Sequence, residues 1–127
     1  MLGIIGAMEV EVEKLRAKMT ETEMKTVAGM NFCRGKLEGK DVVIVRSGIG
    51  KVNAAMCAQI LADVYHADHV INTGIAGSLK AEINIGDIVL STDALQHDMD
   101  AQAFGYEPGQ IMLAGESAGG LKYINFE

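Results

Sequence analysis

Three short apolar runs each lead straight into a glycine-containing turn, and this repeated arrangement narrows the possible folds more than any other feature of the chain. The runs are Leu2-Gly3-Ile4-Ile5-Gly6, Val42 to Val45 before Ser47-Gly48-Ile49-Gly50, and His69 to Thr73 before Gly74-Ile75-Ala76-Gly77. Four consecutive β-formers at Val42–Val45 suit a strand covered on both faces. Fifteen of the 127 residues are glycine and one, Pro108, is proline. The glycine share is well above the usual ~7%. Glycines set at the ends of apolar runs suit tight strand-to-helix turns.

Between the runs the spacing changes to that of helices. Residues 8–18 show helical spacing, and Met8, Val12, Leu15 and Met19 form the apolar stripe. At about 100° per residue, Glu11 lies roughly 60° from the centre of that stripe, whereas Glu9 and Glu13 point away on the other side. Glu11 is therefore the carboxylate nearest the buried face. A second helix is predicted from Lys51 to Val64; its apolar residues lie nearly all round, so it is expected to be sandwiched between layers. Extended segments on either side of Ala28-Gly29-Met30, within residues 23–37, predict a hairpin. Asp87 to Leu90 reads as a further strand. Strand, helix, hairpin, strand, helix, strand, strand is an α/β pattern with some parallel pairing. In such sheets ligands bind at the C-terminal ends of the strands, where the glycines cluster, and a pocket is expected there.

Composition removes several classes of function. A chain of 127 residues with 49% hydrophobic and 22% charged residues is one ordinary globular domain in size and make-up. No apolar run approaches the roughly 18 residues of a membrane span, and no basic stretch precedes the first run, so a cytoplasmic protein without membrane contact is expected. Eleven basic against 17 acidic residues, net −6, argue against a nucleic-acid partner. Cys33 and Cys57 have neither disulfide-scaffold nor zinc spacing, and read as reduced, packed thiols. His66 and His69 carry no signal of their own.

Two motifs fail on inspection. Gly48-Ile49-Gly50-Lys51 resembles the end of a phosphate loop, but Val45 stands where such a loop needs its first glycine and Val52 where it needs Ser or Thr. His97-Asp98-Met99-Asp100 groups three metal-capable side chains without a further ligand at a recognisable spacing, which reads as a solvated loop. No metal and no cofactor are expected.

Five motifs in order carry a resemblance: Gly3-Ile4-Ile5-Gly6-Ala7-Met8-Glu9-Val10-Glu11; Ser47-Gly48-Ile49-Gly50-Lys51-Val52-Asn53-Ala54-Ala55; Asn72-Thr73-Gly74-Ile75-Ala76-Gly77; Gly86-Asp87-Ile88-Val89; and the stretch from His97 to Gln110. Over residues 1–110 the chain resembles the 5'-methylthioadenosine/S-adenosylhomocysteine nucleosidases of the nucleoside phosphorylase family. The resemblance implies a three-layer α/β sandwich around a mixed sheet. It also implies hydrolysis of the N-glycosidic bond of a purine thionucleoside to adenine and a thioribose, a step of methionine salvage. By the same resemblance Glu11 activates the attacking water, Ala7 and Met8 line the sugar side, and Ile49 closes the alkylthio end. Ile75, Ala76 and Gly77 approach base and ribose, and Phe104 reaches into the pocket of a partner subunit, which implies a homodimer.

The sequence departs from the family at Ile75, where a hydroxyl residue is common, at Ser78, where glycine is usual, and from Ile111 onward, where residues 111–127 read as a divergent tail. Family members continue beyond this length and there supply an aspartate that protonates the purine at N7, a stacking aromatic and a Met-Glu pair for the ribose. General-acid help of this kind is worth about 10²–10⁴-fold, so this truncated chain alone is expected to be a poor catalyst. Two alternatives accompany the nucleosidase reading. One is an inactive truncated protein that self-associates through unpaired edges. The other is a phosphate-dependent purine nucleoside phosphorylase, against which Arg16, Arg34 and Arg46 all fall outside glycine-rich turns.

Overall fold

Continuous apolar runs, as expected of strands covered on both faces, organise the observed sheet. The structure is a computed structural model and describes residues 1–90, 98, 100 and 102–104. In chain order its elements are β1 (Leu2–Gly6), α1 (Glu9–Arg16), β2 (Thr20–Val27), β3 (Met30–Leu37), β4 (Lys40–Arg46), α2 (Lys51–Asp63) and β5 (His69–Asn72), followed by a single 3₁₀ turn at Gln102–Phe104. The five strands form one mixed sheet in the order β2-β3-β4-β1-β5. β1 runs parallel to β4 and β5, and β3 is antiparallel to both β2 and β4.

Successive side chains of a strand point to opposite faces, and the core divides accordingly. Ile5, Met30, Phe32, Val43 and Val45 meet Cys57 and Leu61 of α2 on one face. Ile4, Cys33, Val42 and Ile44 meet Val12 of α1 on the other, with Met19 beside it. Sheet and two helices make the three layers. Burial pushes the Cys57 thiol up to about 11 and raises that of Cys33, against a lowering influence of Arg16. Both cysteines are free and buried, as packing residues should be.

The predicted hairpin forms, with Ala28 and Gly29 at φ 49° and 77° between the paired residues Val27 and Met30. A second tight turn, Glu38-Gly39, has φ 48° and 76° between Leu37 and Lys40. Positive φ at both central residues matches the right-handed twist of the flanking strands.

Two expectations are corrected. Helix α2 covers the sheet on one side only: Cys57 and Leu61 are buried, while Val52 is 81% exposed. An apolar helix surface offers burial in every direction, but it is buried only where a neighbouring element arrives, and among the described residues that element is the sheet. Residues 87–90 form no strand; Ile88, Val89 and Leu90 stand exposed. β-propensity without a neighbouring strand makes no ladder.

The chain divides into two compact units, the first taking in Met1–Lys80 and the second beginning at Ala81. The sheet and both α-helices belong to the first. The tail from Ile111 lies outside the described residues. No described helix is long and apolar enough to cross a membrane.

The entry ends of β1 and β5 are tied by charge. The terminal ammonium of Met1 donates to Asp68 Oδ1 at 2.9 Å, with His69 Nδ1 3.2 Å from the same oxygen. The ammonium, then His69, hold the Asp68 carboxyl down to about 2. A depressed carboxylate contributes stability above its unfolded value, ~3.9, and loses it as pH falls through its folded value. Acid unfolding of Asp68→Asn, followed by circular dichroism, should therefore be less steep than that of the wild type between about pH 4 and 2.

Candidate active site

The three parallel strands end side by side, and the backbone bonding to β1 continues one residue past the ends of β4 and β5. Ser47 N donates to Gly6 O at 2.9 Å and Thr73 N to Ile5 O at 2.8 Å. Buried Ser47 reinforces the junction, its hydroxyl 2.8 Å from Gly48 O and 3.5 Å from Gly6 O. The turns after β1, β4 and β5 therefore leave one edge of the sheet together.

Glu11 sits over this edge. Met8 precedes α1 with extended backbone, and its N–H donates to Glu11 Oε2 at 2.9 Å. This is the reciprocal half of a capping box: a carboxylate in the third helical position satisfies a backbone donor at the helix start. The helix dipole favours negative charge at that point as well. Two glycines make the room. A Cβ on Gly6 would lie 2.6 Å from Val12 Cγ1 and 3.0 Å from Glu11 Cβ; one on Gly74 would lie 2.8 Å from Glu11 Oε1. The carboxylate thus occupies space left by the ends of β1 and β5. It is half-buried, whereas Glu9 and Glu13 are exposed, as the helical angles require.

The other residues assigned from sequence fall in two groups. Ala7 and Met8 are partly buried just before α1, four and three residues ahead of Glu11. Ile49 and Ile75 are 74% and 87% exposed in the turns after β4 and β5, with Ala76 and Gly77 exposed too. The Ile49 turn is pinned from α2, since Asn53 Nδ2 donates to Ile49 O at 2.8 Å. At the strand ends where a pocket was expected, the first unit provides an open floor. Strand ends and two turns make a base; walls need further elements. A cleft of about 380 Å³ does exist at the opposite end of the parallel strands, lined by Met1, Lys25, Arg34, Tyr65 and His66 among others, and it shares no residue with the Glu11 site. Phe104 belongs to the 3₁₀ turn of the second unit, and its side chain lies outside the described residues.

Of the other expectations, Asp98 and Asp100 are exposed, while His97 and Met99 lie outside the described residues. Among the described residues no three His, Cys, Asp or Glu side chains group as metal ligands. Arg16 and Arg46 both turn to Glu9, at 2.9 and 3.9 Å. Sequence reasoning missed the parts played by Ser47 and Gly74; glycine or serine at the end of an apolar run was the available signal.

The mixed five-stranded sheet with its two helices agrees with comparison to known proteins. The model of the phosphorylase superfamily matches residues 1–123, and the chain belongs to that superfamily. Within it, the chain is 53% identical over 110 residues to the 5'-methylthioadenosine/S-adenosylhomocysteine nucleosidase of Shewanella loihica, covering 87% of this chain and 48% of the relative. The corresponding nucleosidase of Colwellia psychrerythraea, solved with adenine, superposes with a TM-score of 0.84 at 52% identity, over 87% of this chain and 46% of that one. That of Neisseria meningitidis, solved with methylthio-immucillin-A, gives 0.83 at 43%, over 87% and 48%. The chain spans about half the length of the curated relatives it matches.

Proposed function

We propose that the Glu11 site serves hydrolysis of the N-glycosidic bond of 5'-methylthioadenosine and S-adenosylhomocysteine, with Glu11 as the base that activates water. The observation that carries this reading is the Glu11 carboxylate, held by the Met8 N–H at the joint ends of β1 and β5. Cleavage of such a bond passes through an oxocarbenium-like state. A fixed carboxylate there takes a proton from water as its oxygen attacks the anomeric carbon, and its charge faces the positive charge growing on the sugar. The C–N bond breaks with its electron pair passing to the purine, which gains a proton and leaves as adenine, and the thioribose keeps the hydroxyl of the water. In this reading Ala7 and Met8 face the sugar, Ile49 the alkylthio group, and Ile75, Ala76 and Gly77 the base and ribose. The similar proteins solved with adenine and with methylthio-immucillin-A support a purine thionucleoside as the substrate class.

The test is adenine release from methylthioadenosine by a chimera in which residues 1–110 of this chain precede the remaining part of the Shewanella loihica relative. Release that depends on Glu11 is expected; a chimera that folds and releases no adenine would overturn the reading. Phosphorolysis is the less supported reading, since Arg16 and Arg46 are engaged by Glu9; a rate that rises with phosphate would favour it.

The reading includes a homodimer to which Phe104 contributes, and a cytoplasmic setting in which Cys33 and Cys57 remain thiols. Exposed Ile49, Val52 and Met56 and the pairing of β5 on one side only among the described residues favour self-association of the 127-residue chain. Light scattering should give at least twice the monomer mass, and a monodisperse monomer would contradict it.

A further inference from the structure

We infer that Gly74 is the positioning residue for Glu11: its missing side chain is the space into which Oε1 projects. The inference rests on the reading of Glu11 as the base and concerns how that base is aimed. Glu11 Oε2 is engaged by the Met8 N–H at 2.9 Å, so Oε1 is the oxygen presented to water. Directly beside it is Gly74. The three atoms nearest a Cβ built there are all from Glu11: Oε1 at 2.8 Å, Cδ at 3.3 Å and Oε2 at 3.7 Å.

The two glycines that flank the carboxylate differ in kind. At Gly6 a methyl group would strike Val12 Cγ1 at 2.6 Å and Glu11 Cβ at 3.0 Å, which is a packing conflict beneath the helix. At Gly74 it would meet the far end of one flexible side chain. Gly74 is also exposed, and its φ lies outside the left-handed region, so its backbone accepts alanine. A methyl group at residue 74 therefore leaves the fold in place and displaces the carboxylate, and the displacement strains the bond to Met8. Aim, rather than stability, is what this glycine supplies. A misplacement of about 1 Å at a reacting group can cost 10²-fold in rate.

The test uses the 127-residue chain itself. In the wild type the Met8 amide should be protected from hydrogen exchange, and Glu11→Ala, which removes its acceptor, should abolish that protection. Gly74→Ala should shift the Met8 amide and speed its hydrogen exchange at least about tenfold, as expected for loss of a hydrogen bond to a charged group. Gly77→Ala, where an added Cβ meets nothing within 4 Å, should leave it unchanged. A Gly74→Ala chain whose Met8 amide resonates and exchanges as in the wild type would overturn the inference.

A double-mutant cycle decides the matter even if Gly74→Ala folds poorly. Any loss of thermal stability from Gly74→Ala should vanish in a Glu11→Ala background, because the obstructing atoms are gone. An equal loss in both backgrounds would show that Gly74 acts elsewhere. Failure of the base assignment itself would appear in adenine release by Glu11→Gln, a measurement independent of these.

Discussion

Glu11→Gln in the chimera is expected to lower kcat for adenine release by about 10²–10⁴-fold, the usual worth of a positioned general base. KM and the thermal midpoint should stay near their wild-type values. The reason lies in what the amide keeps and what it loses. Glutamine retains the length of the side chain and an oxygen that can accept from the Met8 N–H, so the start of α1 keeps its cap. It cannot take a proton from water, and it carries no charge to face the oxocarbenium-like state. A loss confined to kcat marks an interaction made in the transition state, whereas a rise in KM alone would mark uniform binding. Glu11→Gln activity within a few-fold of wild type would remove Glu11 from the chemistry and leave it as a helix cap. Glu9 and Glu13 are exposed on the same helix, and their Gln variants serve as controls.

The placement of Glu11 was legible from sequence because it depends on a local period. A stripe of Met8, Val12, Leu15 and Met19 fixes which way a helix faces, and the angle of Glu11 to that stripe follows from 3.6 residues per turn. The buried Val42–Val45 strand was legible for a similar reason, since a run without alternation needs cover on both faces, and all four residues are buried. What depends on distant neighbours was not legible. Residues 87–90 have strand composition, but composition does not provide a pairing strand. The apolar surface of α2 shows that burial is possible all round, not that a second layer meets Val52. The Glu38-Gly39 turn was hidden because its flanking residues, Leu37 and Lys40, do not continue a clear alternation. The role of Gly74 is harder still to see, because it depends on a side chain of helix α1, far away in the chain. In a single sequence, a glycine that makes room for a remote carboxylate looks the same as one that turns the chain.

Phe32→Ala is expected to destabilise the chain by about 3–5 kcal/mol, read as a shift in the urea midpoint at unchanged slope. Phe32 is fully buried and is the largest such side chain among the described residues. It lies in the cluster that joins β1, β3 and β4 to Cys57 and Leu61 of α2, and its ring stacks on Tyr65 with centroids 5.1 Å apart. Truncation removes the transfer energy of the ring and opens a cavity that rigid strands on either side cannot close. The stacked pair adds about 0.5–1.5 kcal/mol, which a cycle with Tyr65→Leu should isolate. Against a typical total of about 5–15 kcal/mol, this is a large share. The damage should also reach the site by a short route. Phe32 is paired with Val45 in the ladder, and two residues further on Ser47 donates to Gly6, the residue packed beneath Glu11. Hydrogen exchange at Val45 and Ser47 should therefore rise in Phe32→Ala along with global unfolding. If the destabilisation stays below about 1 kcal/mol, this face of the sheet is not the packed core that holds the strand ends together. The floor under Glu11 would then owe its order to α1 and the Ile4, Val42 and Ile44 face alone.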